Sequence, residues 1–254
     1  MTEVRAKKFL GQHFLTDESI AQRIVESLSP DVKCALEIGP GMGVLTKYLM
    51  QHEGLDFHVV EIDRESVAYL HGHYPTLDVI EGDFLKYDLS VFSSPFAIIG
   101  NFPYNISSQI LFKVLDNRDH VHEVVGMFQK EVAERVAAGP GSKTYGILSV
   151  LLAAFYRTEY LFTVHEHVFN PPPKVKSAVI RLTRNEVAEL DCDEKLFVQT
   201  VKAGFNQRRK TLRNALRQLN IPLDGIPDTF LVKRAEQLSV DEFVTLTKMI
   251  QECR

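Results

Sequence analysis

The chain has 254 residues, of which 45% are hydrophobic and 24% charged, and its formal net charge at pH 7 is −4. This composition is typical of a globular protein with a sizeable core and excludes a disordered or low-complexity chain. The basic N-terminus has no apolar stretch behind it, and the longest apolar run, residues 147–155, is far shorter than the roughly 18 residues that suggest a membrane span. We therefore expect a cytoplasmic protein without membrane association.

Cysteine and histidine spacing predicts neither a disulfide framework nor a metal site. The cysteines, at positions 34, 192 and 253, are odd in number and widely spaced, so we expect reduced packing residues. Three His-x-His pairs could each place two imidazoles on one strand face, but none has a third ligand nearby with metal-site spacing. We therefore expect no metal ion.

Strand-like apolar segments alternate with amphipathic helical segments through the first two thirds of the chain. The predicted strands are residues 34–38, 57–62, 77–80, 96–100 and 121–128. The predicted helices between them are residues 44–50, 65–73, 107–115 and 130–137. Repeated strand–helix units with right-handed crossovers build a parallel sheet, so the expected fold is α/β with a doubly wound, Rossmann-like sheet.

The pattern changes after this alternation. Residues 159–164 and 177–182 predict a late strand pair, and the prolines at 171–173 belong in the loop between them. From about Val187 only helical patterns remain, including a capping box, Ser239-Val-Asp-Glu242, before the last helix. We therefore predict a cofactor-binding catalytic domain over residues 1–185 and a small all-helical C-terminal domain over residues 186–254.

The first predicted strand runs into a glycine-rich turn and then a helix. Gly39, Gly41 and Gly43 let the backbone turn tightly and approach a ligand, while the helix start offers free N–H groups. Glu61 ends the next strand, where a carboxylate can accept hydrogen bonds from both ribose hydroxyls. These two features fit NAD and an adenosyl cofactor equally.

Two further signals favour the adenosyl cofactor. Asp83 follows the third strand, where it can meet an adenine amino group, and the tetrad Asn101-Phe-Pro-Tyr104 ends the fourth strand. Open α/β sheets bind ligands at this carboxyl edge. A nicotinamide enzyme has no use for that tetrad.

The tetrad suits chemistry on an exocyclic amine of adenine, which is a poor nucleophile because its lone pair is delocalised into the ring. The side-chain carbonyl of Asn101 and the backbone carbonyl of Phe102 can accept its two N–H bonds, and Pro103 fixes the chain. The ring of Tyr104 can stack on a base that has left its helix, and Phe169 could close the other face. Catalysis at such a site is mostly positioning.

Basic residues are concentrated in the C-terminal part of an acidic chain. Between positions 195 and 217 there are seven lysines and arginines and no acidic residue. We predict RNA binding there by Arg208, Arg209, Lys210 and Arg213. A smaller basic cluster, at positions 5, 7 and 8, lies near the N-terminus.

Seven motifs together carry a family resemblance that spans the chain. They are Gly11-Gln-His-Phe-Leu15, Glu37-Ile-Gly-Pro-Gly41, Glu61-Ile-Asp63, Gly82-Asp83, Asn101-Phe-Pro-Tyr104, Phe169-Asn-Pro-Pro-Pro-Lys-Val-Lys-Ser177 and Arg208-Arg-Lys-Thr-Leu-Arg-Asn214. In their order and combination they resemble the small-subunit rRNA adenine dimethyltransferase (KsgA) family. The resemblance implies a class I methyltransferase sheet and the transfer of two methyl groups from S-adenosylmethionine to each of two neighbouring adenines. It places those adenines near the 3′ end of small-subunit (16S) rRNA within a pre-mature particle, and we expect the protein to act as a monomer.

The resemblance also implies residue roles. The expected cofactor contacts are His13, Leu15, Gly39, Gly41, Glu61, Asp83 and Asn101. The adenine would be framed by Asn101, Tyr104 and Phe169. Phe102 stands where the family usually has Leu, but activity should survive because the backbone carbonyl acts there. Asn170-Pro-Pro-Pro173 resembles a second tetrad but lacks the terminal aromatic residue.

Two competing hypotheses remain. The related erythromycin-resistance group dimethylates large-subunit rRNA with the same tetrad, and the segment 205–216 favours the small-subunit family. A non-catalytic ribosome-assembly or RNA-binding factor would keep the fold without the chemistry, and the intact Glu61, Asp83 and Asn101 argue against it.

Overall fold

The structure is a computed structural model that describes residues 4–92 and 95–253. Its strands are β1 (Phe14–Leu15), β2 (Cys34–Ile38), β3 (Asp56–Glu61), β4 (Asp78–Glu81), β5 (Phe96–Asn101), β6 (Val121–Gln129), β7 (Tyr156–Val164), β8 (Phe169–Asn170) and β9 (Ser177–Arg184). Its α-helices are α1 (Glu18–Val25), α2 (Thr46–Leu49), α3 (Arg64–His73), α4 (Ser107–Asp116), α5 (Lys130–Val136), α6 (Ile147–Ala153), α7 (Glu194–Asn206), α8 (Leu212–Ala215), α9 (Asp228–Leu231) and α10 (Val240–Glu252). No described helix is long and apolar enough to cross a membrane.

The main sheet has seven strands in the order β4-β3-β2-β5-β6-β9-β7. Strands β2 to β6 pair in parallel, and β9 is antiparallel to β6. The strand order reverses between β2 and β5, so the carboxyl ends of these two strands mark the switch point where open α/β sheets bind ligands. The predicted doubly wound α/β sheet is confirmed.

The predicted strands match the observed ones within one residue at nearly every end, because short apolar runs buried on both faces are distinctive. Helix α2 is shorter than predicted, with four residues instead of seven. Sequence patterning did not indicate β1 and β8. These two-residue strands form a separate antiparallel ribbon in which Phe14 pairs with Asn170 and Leu15 with Phe169.

The chain divides into two compact units. The first comprises the described residues up to Ala133 together with Thr158–Arg184, and its sheet carries fully buried residues such as Leu36, Ile98 and Val124. The second comprises Glu134–Arg157 and the residues from Asn185 onward. The chain passes from one unit to the other at residues 133–134, 157–158 and 184–185, so the segment 134–157 groups with the C-terminal helices. The predicted first domain, residues 1–185, includes this segment, and the division into domains stays a prediction.

Apart from the first two residues of β7, the regular secondary structure described in the second unit is helical. Helix α7 packs against α6, α8 and α10, and the core includes Phe197, Phe243 and Leu246. The predicted capping box at the start of α10 is confirmed. Ser239 Oγ accepts a hydrogen bond from Glu242 N at 3.2 Å, and Glu242 Oε2 accepts one from Ser239 N at 2.9 Å.

Candidate active site

A cavity of about 190 Å³ lies in the first unit at the carboxyl ends of β2, β3 and β5. It brings together most of the residues predicted from the sequence. They are His13, Gly39, Gly41, Glu61, Asp83, Asn101 and Tyr104. Leu15 lines a second cavity, of about 340 Å³, which shares Gly39 and Asn101 with the first.

The glycine-rich turn forms one side of this cavity. Gly39 and Gly41 have φ angles of 65° and 57°, in the left-handed region that favours glycine. A Cβ on Gly41 would lie 2.8 Å from the ring of Phe14. The turn therefore keeps its close approach to the N-terminal segment only with glycine at position 41.

Glu61 is held rigidly beside this turn. Its side chain accepts hydrogen bonds from Gly41 N at 3.1 Å and from Asp63 N at 2.8 Å, one on each oxygen. Glu61 is 4% exposed, and burial raises the pKa of its carboxyl against the lowering effect of these backbone donors. Each oxygen retains an acceptor site, so the carboxylate suits a pair of ribose hydroxyls.

Glu37 is a buried acid to which sequence reasoning assigned no role. Its Oε2 accepts a hydrogen bond from Thr46 Oγ1 at 2.7 Å, whereas its buried Oε1 has no partner among the described residues. Burial raises the pKa of Glu37 to about 8. The residue lines the second cavity, so a buried polar oxygen without a partner lies at the wall of that cavity.

The far side of the first cavity combines an acid with apolar surface. Asp83 caps the short helical turn at Phe84–Lys86, accepting a hydrogen bond from Leu85 N at 3.0 Å. Ile62 is 51% exposed and lines the cavity together with Phe84. A flat apolar ring with a polar edge fits this combination of surfaces.

Asn101 lies at the end of β5 and lines both cavities. Its Nδ2 donates a hydrogen bond to the backbone carbonyl of His13 at 2.8 Å. This bond fixes the amide and leaves Oδ1 as an acceptor, which is the role predicted for it.

Tyr104 is held on both sides. Its ring stacks with that of His13, with centroids 5.3 Å apart and planes inclined by 29°. Its hydroxyl is hydrogen-bonded to Ser177 Oγ, a partner that sequence reasoning missed. Burial raises the pKa of the Tyr104 phenol, so it stays neutral at physiological pH.

Phe102, the departure from the family pattern, is accommodated by glycine on the neighbouring strand. The ring is 1% exposed and meets Phe128 edge to face, with centroids 4.9 Å apart. A Cβ on Gly126 would overlap the Phe102 ring. The larger side chain therefore fills space that Gly126 leaves open, and the backbone continues the sheet through the hydrogen bond from Phe102 N to Met127 O at 3.1 Å.

Phe169 is not brought into the cavity with the other predicted residues. Its pairing with Leu15 in the β1–β8 ribbon directs it into an apolar cluster that includes Ile99, Val125 and Val179, and it is 4% exposed. Neither cavity is lined by it. A role in framing the base stays a prediction from the resemblance.

The predicted RNA-binding residues lie in the second unit and differ in their surroundings. Arg208 donates hydrogen bonds to the carbonyls of Tyr145 at 2.7 Å and Ser142 at 3.1 Å and forms an ion pair with Glu236 at 2.8 Å. Arg213 is paired with Asp228. Arg209 and Lys210 are exposed.

One group of described residues has metal-ligand chemistry, and it lies at the opposite edge of the sheet, where β2 and β3 begin. Ligand atoms of Cys34, Asp56 and His58 all lie within 4.8 Å of one another. Nδ1 of His58 is hydrogen-bonded to Asp78 at 2.6 Å, and Nε2 lies 3.0 Å from Asp56, so carboxylates already occupy both sides of the imidazole.

Parallel strands with the antiparallel β9 beside β6, and an acid at the end of β3 facing a glycine turn, define a class I S-adenosylmethionine-dependent methyltransferase. Among solved structures, a dimethyladenosine transferase from Plasmodium falciparum is 27% identical, with a TM-score of 0.78 over 94% of this chain and 98% of that one. The 23S rRNA methyltransferase ErmE is 25% identical, with a TM-score of 0.71 over 94% of this chain and 99% of that one.

The family model described as ribosomal RNA adenine dimethylase matches residues 3–252, and the chain belongs to that family. A ribosomal RNA small subunit methyltransferase A from Cytophaga hutchinsonii is 62% identical over 98% of this chain and 99% of that protein. The protein of the same name from Bacteroides thetaiotaomicron is 58% identical over 99% of this chain and 96% of that one.

The residues present fit S-adenosylmethionine. The fixed carboxylate of Glu61 suits the ribose, and Ile62 with Asp83 suits the purine ring and its amino edge. The unpartnered Oε1 of Glu37 suits a hydrogen-bonding group on the amino-acid part. Asn101 lines both cavities, where the donor and an acceptor amine would meet.

Proposed function

We propose that this protein transfers methyl groups from S-adenosylmethionine to the N6 of two adjacent adenines near the 3′ end of small-subunit (16S) rRNA. The observation that carries the proposal is the fixed amide of Asn101 at the meeting point of the two cavities. The small-subunit relatives at 62% and 58% identity favour this substrate over the large-subunit rRNA named for ErmE at 25% identity.

The chain itself would act by positioning. S-adenosylmethionine, when bound, supplies an electrophilic methyl group on its sulfonium. The Oδ1 of Asn101 and the backbone carbonyl of Phe102 would accept the two N–H bonds of the adenine amine, which localises its lone pair toward the methyl group. The ring of Tyr104, fixed by His13 and Ser177, would support the base. The methylated amine is acidic and loses its proton to water, so no strong base is required.

The cofactor contacts would be shared between the two cavities. Gly39, Gly41 and Glu61 would hold the sugar. Asp83 would bind the adenine edge, and the backbone carbonyl of His13 would orient the amide of Asn101. Leu15, which is 4% exposed and lines the second cavity, would offer apolar contact there. These assignments can be checked by calorimetric titration of each alanine variant with S-adenosylhomocysteine.

The C-terminal helices would bind RNA. We propose a catalytic domain over residues 1–185 and a helical RNA-binding domain over 186–254, with the exposed Arg209 and Lys210 as phosphate contacts. The partner would be small-subunit rRNA within a pre-mature particle. We also propose a monomer that works in the cytoplasm without a metal ion, because the positioning chemistry requires none.

The test is methyl transfer from labelled S-adenosylmethionine to small subunits from a strain lacking the modification, followed by digestion and detection of dimethyladenosine. Wild type should give product, and Asn101→Ala should give none while still binding S-adenosylhomocysteine. Tight particle binding without product from wild type would favour the assembly-factor hypothesis. Label in large-subunit rRNA would favour the erythromycin-resistance group.

A further inference from the structure

Phe9 is the most exposed large hydrophobic side chain among the described residues, with 77% of its surface accessible. A single exposed apolar side chain is ordinary on protein surfaces and carries no function by itself. Phe9 differs because of where its backbone is held and because of the charges around it.

The turn that carries Phe9 is restrained on both sides. Residues Lys8–Leu10 form one 3-10 turn, and the segment is tied to Asp63 by Lys7 before the turn and by Gln12 after it. The carbonyl of Phe9 accepts a hydrogen bond from Asn105 Nδ2 at 3.4 Å. The aromatic ring is thus displayed on a fixed turn instead of a free chain end.

This turn forms part of the rim of the candidate active site. Leu10 and Gly11, which directly follow Phe9, line the first cavity. A Cβ on Gly11 would lie 2.7 Å from Asn105 Oδ1, so the turn packs closely on the residue that follows Tyr104. Phe9 therefore directly precedes two residues that line the cavity, on a turn that packs against the residue after Tyr104.

Positive charge flanks the rim on two sides. Arg5 and Lys8 are exposed on the N-terminal segment, and Lys174 and Lys176 are exposed on the proline loop. His13 Nδ1 lies 2.7 Å from the carbonyl oxygen of Pro171, which joins the two segments next to Tyr104. A polyanion would be attracted to both sides of the cavity mouth.

Resting on the proposed function, we propose that Phe9 is a stacking platform for the base of an unpaired nucleotide adjacent to the adenine in the cavity. An exposed aromatic ring among basic side chains is the usual surface for single-stranded nucleic acid, because every base has a face that stacks and every nucleotide a phosphate. The platform would hold the strand in register while the neighbouring base enters the cavity.

The chain contains no tryptophan, so Phe9→Trp gives a single tryptophan at the platform, whose emission can be excited selectively over that of the tyrosines. Its matched control is Val91→Trp, which places the emitter at another exposed position of the same unit, 62% accessible. On titration with a short single-stranded oligoadenylate, the emission of the Phe9→Trp protein should be quenched to saturation, and that of the Val91→Trp protein should not change. Equal responses of the two proteins would overturn the proposal.

Kinetics provides the second readout. Phe9→Ala and Phe9→Leu should raise the KM for unmethylated small subunits roughly fivefold or more, since a base–aromatic stack is lost. Phe9→Trp should keep a KM near that of wild type because an indole ring also stacks. The Kd for S-adenosylhomocysteine should be the same in all four proteins. A KM for Phe9→Ala equal to that of wild type would refute the stacking role of Phe9 and leave the proposed function intact. If wild type transfers no methyl groups, the proposed function fails, and the quenching experiment still decides the platform.

Discussion

Lys7 and Asp63 form an ion pair that ties the N-terminal segment to the N-cap of α3. The Asp63 side chain is 1% exposed, and its second oxygen accepts a hydrogen bond from Gln12 at 3.2 Å. Burial raises the pKa of this carboxyl, but the bonds from Lys7 and Gln12 outweigh burial and hold the pKa below its usual value. One carboxylate thus fixes the segment that forms a wall of the cavity.

Neutralising this carboxylate should weaken cofactor binding. Asp63→Asn keeps a side chain that can cap α3, where Asp63 Oδ1 accepts from Glu65 N at 3.1 Å, but it removes the ion pair with Lys7. We expect the Kd for S-adenosylhomocysteine to rise roughly tenfold, because a charge-assisted bond that positions the wall is lost. Isothermal titration calorimetry at neutral pH measures the change.

The control for this prediction is Glu65→Gln. Glu65 is the other partner of Lys7, at 3.1 Å, but its side chain is 59% exposed, and exposed pairs contribute little. Its Kd should match that of wild type. Equal affinity of Asp63→Asn and wild type for S-adenosylhomocysteine would show that the N-terminal segment keeps its position without this carboxylate.

The buried acid Glu37 should make the stability of the ligand-free protein fall as pH rises. Its pKa is raised from 4.5 to about 8, so between these values the folded protein keeps a proton that the unfolded chain has lost. The free energy of unfolding then decreases with pH through this window, by at most about 1.4 kcal/mol per pH unit. Urea unfolding from pH 5.5 to 8 measures the slope.

Glu37→Gln is the matched variant, because its amide oxygen can still accept the bond from Thr46. The pH dependence assigned to Glu37 should disappear in this variant. Between pH 5.5 and 8 the free energy of unfolding should therefore fall less in Glu37→Gln than in wild type. Parallel pH profiles for the two proteins would show that Glu37 does not titrate in this range.

Much of the site could be predicted from sequence because its residues sit at the ends of recognisable strands. Glu61 and Asn101 end β3 and β5, and apolar runs located these strands nearly to the residue. Parallel strands have their carboxyl ends at one edge of the sheet, so the residues that follow them could be predicted to meet in one cavity. The fold class was predictable for the same reason.

Contacts between distant parts of the chain could not be predicted. The pairing of Leu15 with Phe169 buries a ring that the sequence suggested for the substrate, and no local pattern announces a two-residue ribbon. Two partners of Arg208 are backbone carbonyls more than 60 residues away in sequence. A basic residue that serves packing looks the same in sequence as one that binds phosphate.

The fit of Phe102 against Gly126 predicts a conditional substitution. Gly126→Ala should destabilise the protein by about 1–3 kcal/mol, because the new methyl group overlaps the Phe102 ring and lies 2.7 Å from Phe128. The cost should fall in a Phe102→Leu background, where a smaller side chain leaves room. A double-mutant cycle by chemical denaturation measures the coupling.

Gly72→Ala is the control for that cycle. Gly72 lies in α3, and a Cβ there would meet nothing within 4 Å. This substitution should stabilise the protein by up to about 1 kcal/mol, because alanine has a higher helix propensity than glycine. The effect is opposite in sign to that of Gly126→Ala. An equal cost of Gly126→Ala with Phe or Leu at position 102 would refute the packing account.

Alanine substitutions at the neighbouring basic residues Arg208, Arg209 and Lys210 should affect the thermal stability of the protein differently. Arg208→Ala removes the hydrogen bonds to Tyr145 and Ser142 and the ion pair with Glu236, so thermal unfolding should occur at a lower temperature. Arg209→Ala and Lys210→Ala should leave the unfolding temperature unchanged, because both side chains are exposed.

Binding to small subunits separates the same variants by salt dependence. If Arg209 and Lys210 contact phosphates, each alanine substitution should weaken binding and flatten the plot of log affinity against log salt concentration by roughly 0.7–0.9 per contact. Filter binding between 50 and 200 mM salt covers the range in which that slope is expressed. If the slopes of Arg209→Ala and Lys210→Ala equal that of wild type, and Arg208→Ala is only less stable, this segment does not form the RNA-binding surface.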